Sequence, residues 1–196
     1  MSAEQERPTL WQRTRRRAYG EITAAAMGLF LEQGFQETTV DEIAAAAGIS
    51  RRSFFRYFGS KEDVVIDHLV ADGELLRVEL ERQPHDVDVW AALSGALFSL
   101  EEATADRERL LAVARMVYGT PSLRARSIEK HLRWSDVLAA EVERRLGGGD
   151  SSSLRARAIV GCFVTCLDVA GEAWVRDDAA HPLQVYLDVS LSAVRG

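Results

Sequence analysis

The chain has 196 residues, of which 47% are hydrophobic and 28% charged, and a formal net charge of -6. A chain this long buries roughly 70% of its unfolded surface without staples, and its balance of residues excludes a disordered or fibrous polymer. Net acidity argues against a protein that coats nucleic acid throughout, but permits a local basic patch. The cysteines, Cys162 and Cys166, are too few for a disulfide framework and point to a reducing compartment. The opening "MSAEQERPTLWQRTRRR" lacks the apolar run of a signal peptide. No apolar stretch is expected to reach about 18 residues, so no membrane partner is expected.

Residues 1–12 read as a flexible arm, followed by the basic cluster Arg13, Arg15, Arg16 and Arg17. Ala18, Ile22, Ala25 and Leu29 recur at helical spacing, and Gly34 ends that first helix. Thr39 with Glu42 forms a capping box for a second, whose apolar face is Val40, Ile43, Ala44 and Ala47. Gly48 supplies a turn, and Ser50 caps a short third helix from Arg51 to about Phe58. Ser60 with Asp63 opens a fourth, striped by Val65, Leu69, Leu76 and Leu80, that runs to Pro84. Asp86 caps a fifth with Trp90, Leu93, Leu97 and Leu100, and a sixth spans Asp106 to Tyr118. Pro121 suits a first helical position and opens a long seventh to Leu146. "GGGDSSS" is then a flexible loop. Ala158 to Ala170 is apolar nearly all round, broken by Thr165 and Asp168, which predicts a helix buried on every side. It is too short for a bilayer, so a second protein surface explains it better. The last helix follows Pro182 and carries Leu183, Tyr186, Leu187, Leu191 and Val194. No alternating strand pattern appears. The predicted fold is all-α with about nine helices: a three-helix helix-turn-helix domain at 13–60, then a larger helical domain at 61–196.

The third helix concentrates the chemistry. Arg51, Arg52, Arg56 and Lys61 are interleaved with Phe54, Phe55, Tyr57 and Phe58. Phe54 and Phe58 are one helical turn apart and face inward, so Arg52 and Arg56 point outward beside Arg51 and Phe55. In a helix-turn-helix the N-terminal residues of the second helix reach base edges in the major groove. An arginine fork matches guanine O6 and N7, and an aromatic face packs on a thymine methyl. Ser53, Tyr57 and Lys61 are placed to donate to phosphate. Arginines on an exposed helix are often only a solvated face; here the turn and capping signals favour the DNA reading.

The stretch "LFLEQGFQETTVDEIAAAAGISRRSFFRYFGSKED" resembles the DNA-binding domain of the TetR family of bacterial transcription regulators, over about Arg15 to Leu69. The resemblance implies a phosphate contact for Thr39, base contacts for Arg51, Arg52 and Phe55, and backbone contacts for Ser53, Tyr57 and Lys61, with Arg16 added from the first helix. Many members carry tyrosine where this chain has Phe55, so a hydroxyl contact is missing there. Arg51 and Arg52 replace a lysine–glycine or similar pair, which suggests guanine-rich reading. Farther on, "MVYGTPSLRARSIEKHLRWSDVLAAEVERRLG" resembles the C-terminal domain of the branch named for the mycofactocin regulator.

These resemblances imply a ligand-responsive repressor and not an enzyme, acting in the cytoplasm on the nucleoid. The expected partners are a palindromic double-stranded operator, a second copy of the chain and a small lipophilic, acyl-CoA-like effector. Trp90, Phe98, Met116, Tyr118 and Trp134 are candidates to line the effector pocket, with Arg115 near its mouth. Ile159, Phe163, Cys166, Leu167, Tyr186, Leu187 and Leu191 are candidates for the dimer interface. Asp168, in an apolar run, either sits hydrogen-bonded at the dimer seam or touches ligand. Cys162 and Cys166 read as small hydrophobes. His68, His85, His131 and His181 show no metal-ligand spacing, so neither metal nor cofactor is expected. The competing reading is a small α-helical lipid carrier or enzyme, which leaves Arg51–Lys61 unexplained and shows no catalytic dyad.

Overall fold

The computed structural model describes residues 9–104 and 106–195, which hold nine helices and no strand. In chain order the helices are α1 (Leu10–Gln33), α2 (Val40–Ala46), α3 (Arg51–Tyr57), α4 (Lys61–Arg82), α5 (Val89–Thr104), α6 (Arg107–Gly119), α7 (Pro121–Arg145), α8 (Ser152–Arg176) and α9 (Leu183–Arg195). They form two compact units, Met1–Val65 and Ile66–Gly196, whose boundary in sequence falls inside α4. Of the arm expected at 1–12, residues 1–8 lie outside the described residues, and α1 already begins at Leu10.

The first unit is set by local signals. Gly34 at φ +100 and Gly48 at φ +65 adopt the left-handed backbone that favours glycine, one after α1 and one in the α2–α3 turn. The capping box before α2 is complete: Thr39 Oγ1 accepts from the Glu42 N–H, and the Glu42 carboxylate accepts from the Thr39 N–H. Ser50 caps α3 by accepting from the Ser53 N–H. Ile22, Met27, Phe30, Phe35, Ile43, Phe54 and Phe58 are buried. Phe58 meets Tyr19 and Phe54 with ring centroids 4.5 Å and 5.6 Å away, within the range where aromatic pairs attract.

In the second unit α7 packs along α8 and α8 along α9. Leu76, Leu80, Leu93, Trp134, Leu138, Val160, Phe163 and Leu187 belong to its core. The Trp134 ring lies over Gly73, where a Cβ would come within 2.5 Å of it, and its Nε1–H donates to Leu69 O at 2.9 Å. Arg145, buried with Glu141, donates to that carboxylate at 3.0 Å. It also donates to the carbonyls of Leu80, Gln83 and Pro84 at the end of α4, of which Leu80 O also accepts from the Gln83 N–H at 3.2 Å.

Two expectations about α8 are corrected. The helix is longer than its apolar stretch, and it is not buried all round: Ala158, Cys162, Thr165 and Val169 are exposed, a stripe at helical spacing. With one 18-residue window of mean hydropathy 1.6, it is long and apolar enough to cross a membrane by length and composition. Four residues expected at the dimer interface, Phe163, Cys166, Leu187 and Leu191, are instead buried in the unit's own core. They point into the α8–α9 packing, whereas Ile159, Leu167 and Tyr186 are half-buried at its margin.

Candidate functional site

The α3 face matches its expected geometry in part. Arg51, Arg52, Phe55 and Arg56 are exposed above buried Phe54 and Phe58. The Arg52 side chain has no partner among the described residues, and neither does exposed Arg16. Arg51 donates to Asp41 at 2.6 Å, with its guanidinium 5.6 Å from the Phe55 ring centroid. Both members of that ion pair are largely exposed, so it holds by about 0–1 kcal/mol and yields to a stronger acceptor. Ser53 Oγ lies 3.0 Å from Ser50 Oγ. The half-buried Tyr57 has a hydroxyl with no partner among the described residues.

Two residues expected on phosphate are engaged inside the protein. Lys61 Nζ donates to the carbonyls of Phe35, Gln36 and Thr38 at 2.6, 3.2 and 3.0 Å, and lies 4.5 Å from the Phe35 ring centroid. An ammonium has three N–H donors, so this one has none left for a phosphate as it stands. Lys61 instead clamps the α1–α2 connection to the start of α4. The Thr39 hydroxyl likewise donates to Glu42 at 2.8 Å. Its backbone and side-chain hydrogen bonds hold the Glu42 carboxyl below the usual range.

The pocket candidates do not come together as a set. Trp134 is core. Trp90 and Phe98 are partly buried against the core, and the Arg195 guanidinium lies 5.8 Å from the Trp90 ring centroid. Met116 is half-buried, and exposed Arg115 pairs with Asp178 between α8 and α9. The nearby backbone is constrained, because Asp178 and Ala179 both take positive φ, at 51° and 55°.

Around Tyr118 the structure gathers a polar group that sequence spacing did not reveal. Tyr118 donates to Asp168, with its hydroxyl 3.1 Å from the carbonyl and 3.2 Å from Oδ1. His131 Nε2 is 3.5 Å from the same carboxylate, without a well-formed hydrogen bond. Arg124 lies over the Tyr118 ring at 4.9 Å and pairs with Glu172 at 2.5 Å. Lys130 lies 5.5 Å from the Trp134 ring centroid. Burial raises the Tyr118 pKa, reinforced by Asp168. Burial lowers that of Lys130 against the pull of Asp168 and Asp72. For Asp168 burial works upward, but His131, Lys130 and Arg124 outweigh it and the net direction is down. The one hint in the sequence was Asp168 itself, a charge in an apolar run.

Two family models match the chain. That described as bacterial regulatory proteins, tetR family, covers residues 22–67. That described as the MftR C-terminal domain covers residues 87–196. The chain is 31% identical to the HTH-type transcriptional regulator TcmR of Streptomyces glaucescens, over 96% of this chain and 87% of that one. It is 32% identical to a protein of Mycobacterium tuberculosis named for regulation of mycofactocin biosynthesis, MftR, over 81% of this chain and 80% of that one. Among solved structures it resembles the TetR-family repressor FadR of Thermus thermophilus in complex with lauroyl-CoA, with a TM-score of 0.61 and 28% identity. That likeness covers 89% of this chain and 91% of that one.

Proposed function

Because this chain belongs to the TetR family of DNA-binding transcriptional regulators, we propose that it is a homodimeric repressor, released from a palindromic operator by a small lipophilic, acyl-CoA-like effector. The first unit reads DNA; the second dimerises and binds effector; the protein works in the cytoplasm, on the nucleoid. The observation that carries this reading is the α3 face. Arg51, Arg52 and Phe55 stand exposed on a capped helix whose opposite side is locked by Phe54 and Phe58. Arg52 and Phe55 are the base readers, Arg51 joins them by leaving Asp41, and Ser53, Tyr57 and Arg16 hold phosphate.

Support for the dimer comes from the exposed stripe Ala158, Cys162 and Val169 on α8, beside exposed Val185 and Val189 on α9. Support for the effector class comes from the lauroyl-CoA complex of the Thermus relative. The Tyr118–Asp168 group and the α4–α7 bonds at Trp134 and Arg145 offer a way to couple binding to α4.

The test is a titration of lauroyl-CoA into the full chain, with and without a duplex from the chain's own upstream DNA. Linkage requires the two ligands to weaken each other equally; a 100-fold effect corresponds to about 2.7 kcal/mol of differential affinity. Equal lauroyl-CoA affinity in both titrations would remove release by this effector from the proposal.

A further inference from the structure

The start of α1 carries charge that the reading face does not use. The Arg15 guanidinium lies 5.5 Å from the Trp11 ring centroid, and the Arg56 guanidinium lies 5.5 Å from that of Tyr57. These four residues and Thr14 line one cleft of about 390 Å³ in the first unit. Neither guanidinium has a carboxylate partner among the described residues, whereas Arg17 pairs with Glu21 and Arg51 with Asp41. The Tyr57 hydroxyl is also without a partner there. Thr14 donates to Leu10 O within its own helix, at 3.0 Å.

Stacking on an aromatic face steadies a guanidinium and leaves its N–H edge open. The cleft therefore offers two arginine forks and a phenolic O–H, with no acid among its lining residues. That set suits an anion with several oxygens in one plane or fork, the geometry in which arginine binds phosphate bidentately. The phosphate's source is indicated by Arg56 and Tyr57, which belong to α3 itself. We propose that this cleft is a second DNA contact, in which Arg15, Arg56 and the Tyr57 hydroxyl grip a backbone phosphate beside the bases that α3 reads. The inference rests on α3 being the reading helix. Its contribution is independent of sequence and ties the start of α1 to the end of α3 across one phosphodiester.

The experiment compares the full chain with R15Q/R56Q on two duplexes. One is selected from a random library by the unaltered chain; the other is a scramble of the same length. Fluorescence anisotropy over a range of sodium chloride gives the slope of log affinity against log salt, which changes by about 0.9 per phosphate neutralised. With one such contact from each protomer, the dimeric variant is expected to lose about two units of slope and on the order of tenfold affinity per contact on both duplexes, with the selectivity ratio unchanged. R15K/R56K should recover the slope but only part of the affinity, because an ammonium lacks the fork. Phosphate ethylation should interfere at one flanking position in each half-site with the unaltered chain and not with R15Q/R56Q. Should the double variant melt early, R15Q and R56Q are read singly, each with a shallower slope. An unchanged slope, or a loss confined to the selected duplex, overturns the cleft. If the unaltered chain selects no duplex at all, the reading of α3 fails instead, while the slope on the scramble still decides the cleft.

Discussion

One set of basic side chains in the first unit and another in the second meet opposite circumstances. In the first, Arg16, Arg52, Arg15 and Arg56 reach solvent without acidic partners among the described residues. In the second, Arg145 is buried with Glu141, whereas Arg124 pairs with Glu172 in partial exposure and half-buried Lys130 feels the charges of Asp168 and Asp72. An exposed cation with no partner is held weakly by its own fold and is free to meet a polyanion. A buried pair is the reverse, because removing one member strands the other in low dielectric. The same residue type thus stands unpaired at the surface in one set and builds internal structure in the other, at Arg145 above all.

The sharpest way to break this contrast is Arg145→Met. It removes the buried partner of Glu141, leaving that carboxylate only the half-exposed Arg144, and takes one donor from the carbonyls of Leu80, Gln83 and Pro84, and should lower stability by about 3 kcal/mol. Urea denaturation is the measurement, and a loss near zero would place Arg145 with the solvent-facing cations. Next in size is a pair from the first unit. Lys61→Met removes three internal hydrogen bonds and should lower stability by about 2 kcal/mol. Arg52→Ala should leave stability within about 0.5 kcal/mol, yet weaken binding to a selected duplex by about 1–3 kcal/mol for each base it no longer reads. Equal melting of both variants would erase the distinction drawn between them.

The smallest effect concerns Glu101, half-buried on α5, whose pKa burial raises to about 7. The folded state binds this proton more tightly than the unfolded chain does. Its contribution to stability is therefore full below the ordinary carboxyl range and is lost as pH rises through about 7. Allowing for the water that still reaches it, the wild type should lose about 1–2 kcal/mol more than Glu101→Gln between acid and mildly alkaline pH. Parallel stability–pH curves for the two proteins would dismiss the shift.

Much of the fold was legible because its signals are local. Thr39 with Glu42, Ser50 before Arg51, Gly34, Gly48 and Pro121 each declare a helix end within four residues. The inward turn of Phe54 and Phe58 followed from helical spacing alone. Apolarity misled where it was read as burial on every side: α8 exposes Ala158, Cys162, Thr165 and Val169 within its apolar run. It misled again at Phe163, Cys166, Leu187 and Leu191, since pattern marks a buried face without saying whether the same chain or another covers it. The internal bonding of Lys61 was hidden for a different reason. A long flexible side chain is aimed by whichever carbonyls the tertiary fold leaves within reach, and those belong to residues far earlier in the chain. The group joining Tyr118, His131 and Asp168 was out of reach for the same reason.

The bonding of Lys61 has one more consequence. It is the sole lysine in residues 1–65, and its nitrogen is held by three carbonyls. Every other basic side chain of that unit is arginine, which keeps its charge at any pH a cell experiences. An enzyme that silences DNA-binding proteins by acetylating lysine amines would therefore find almost nothing to modify on this surface.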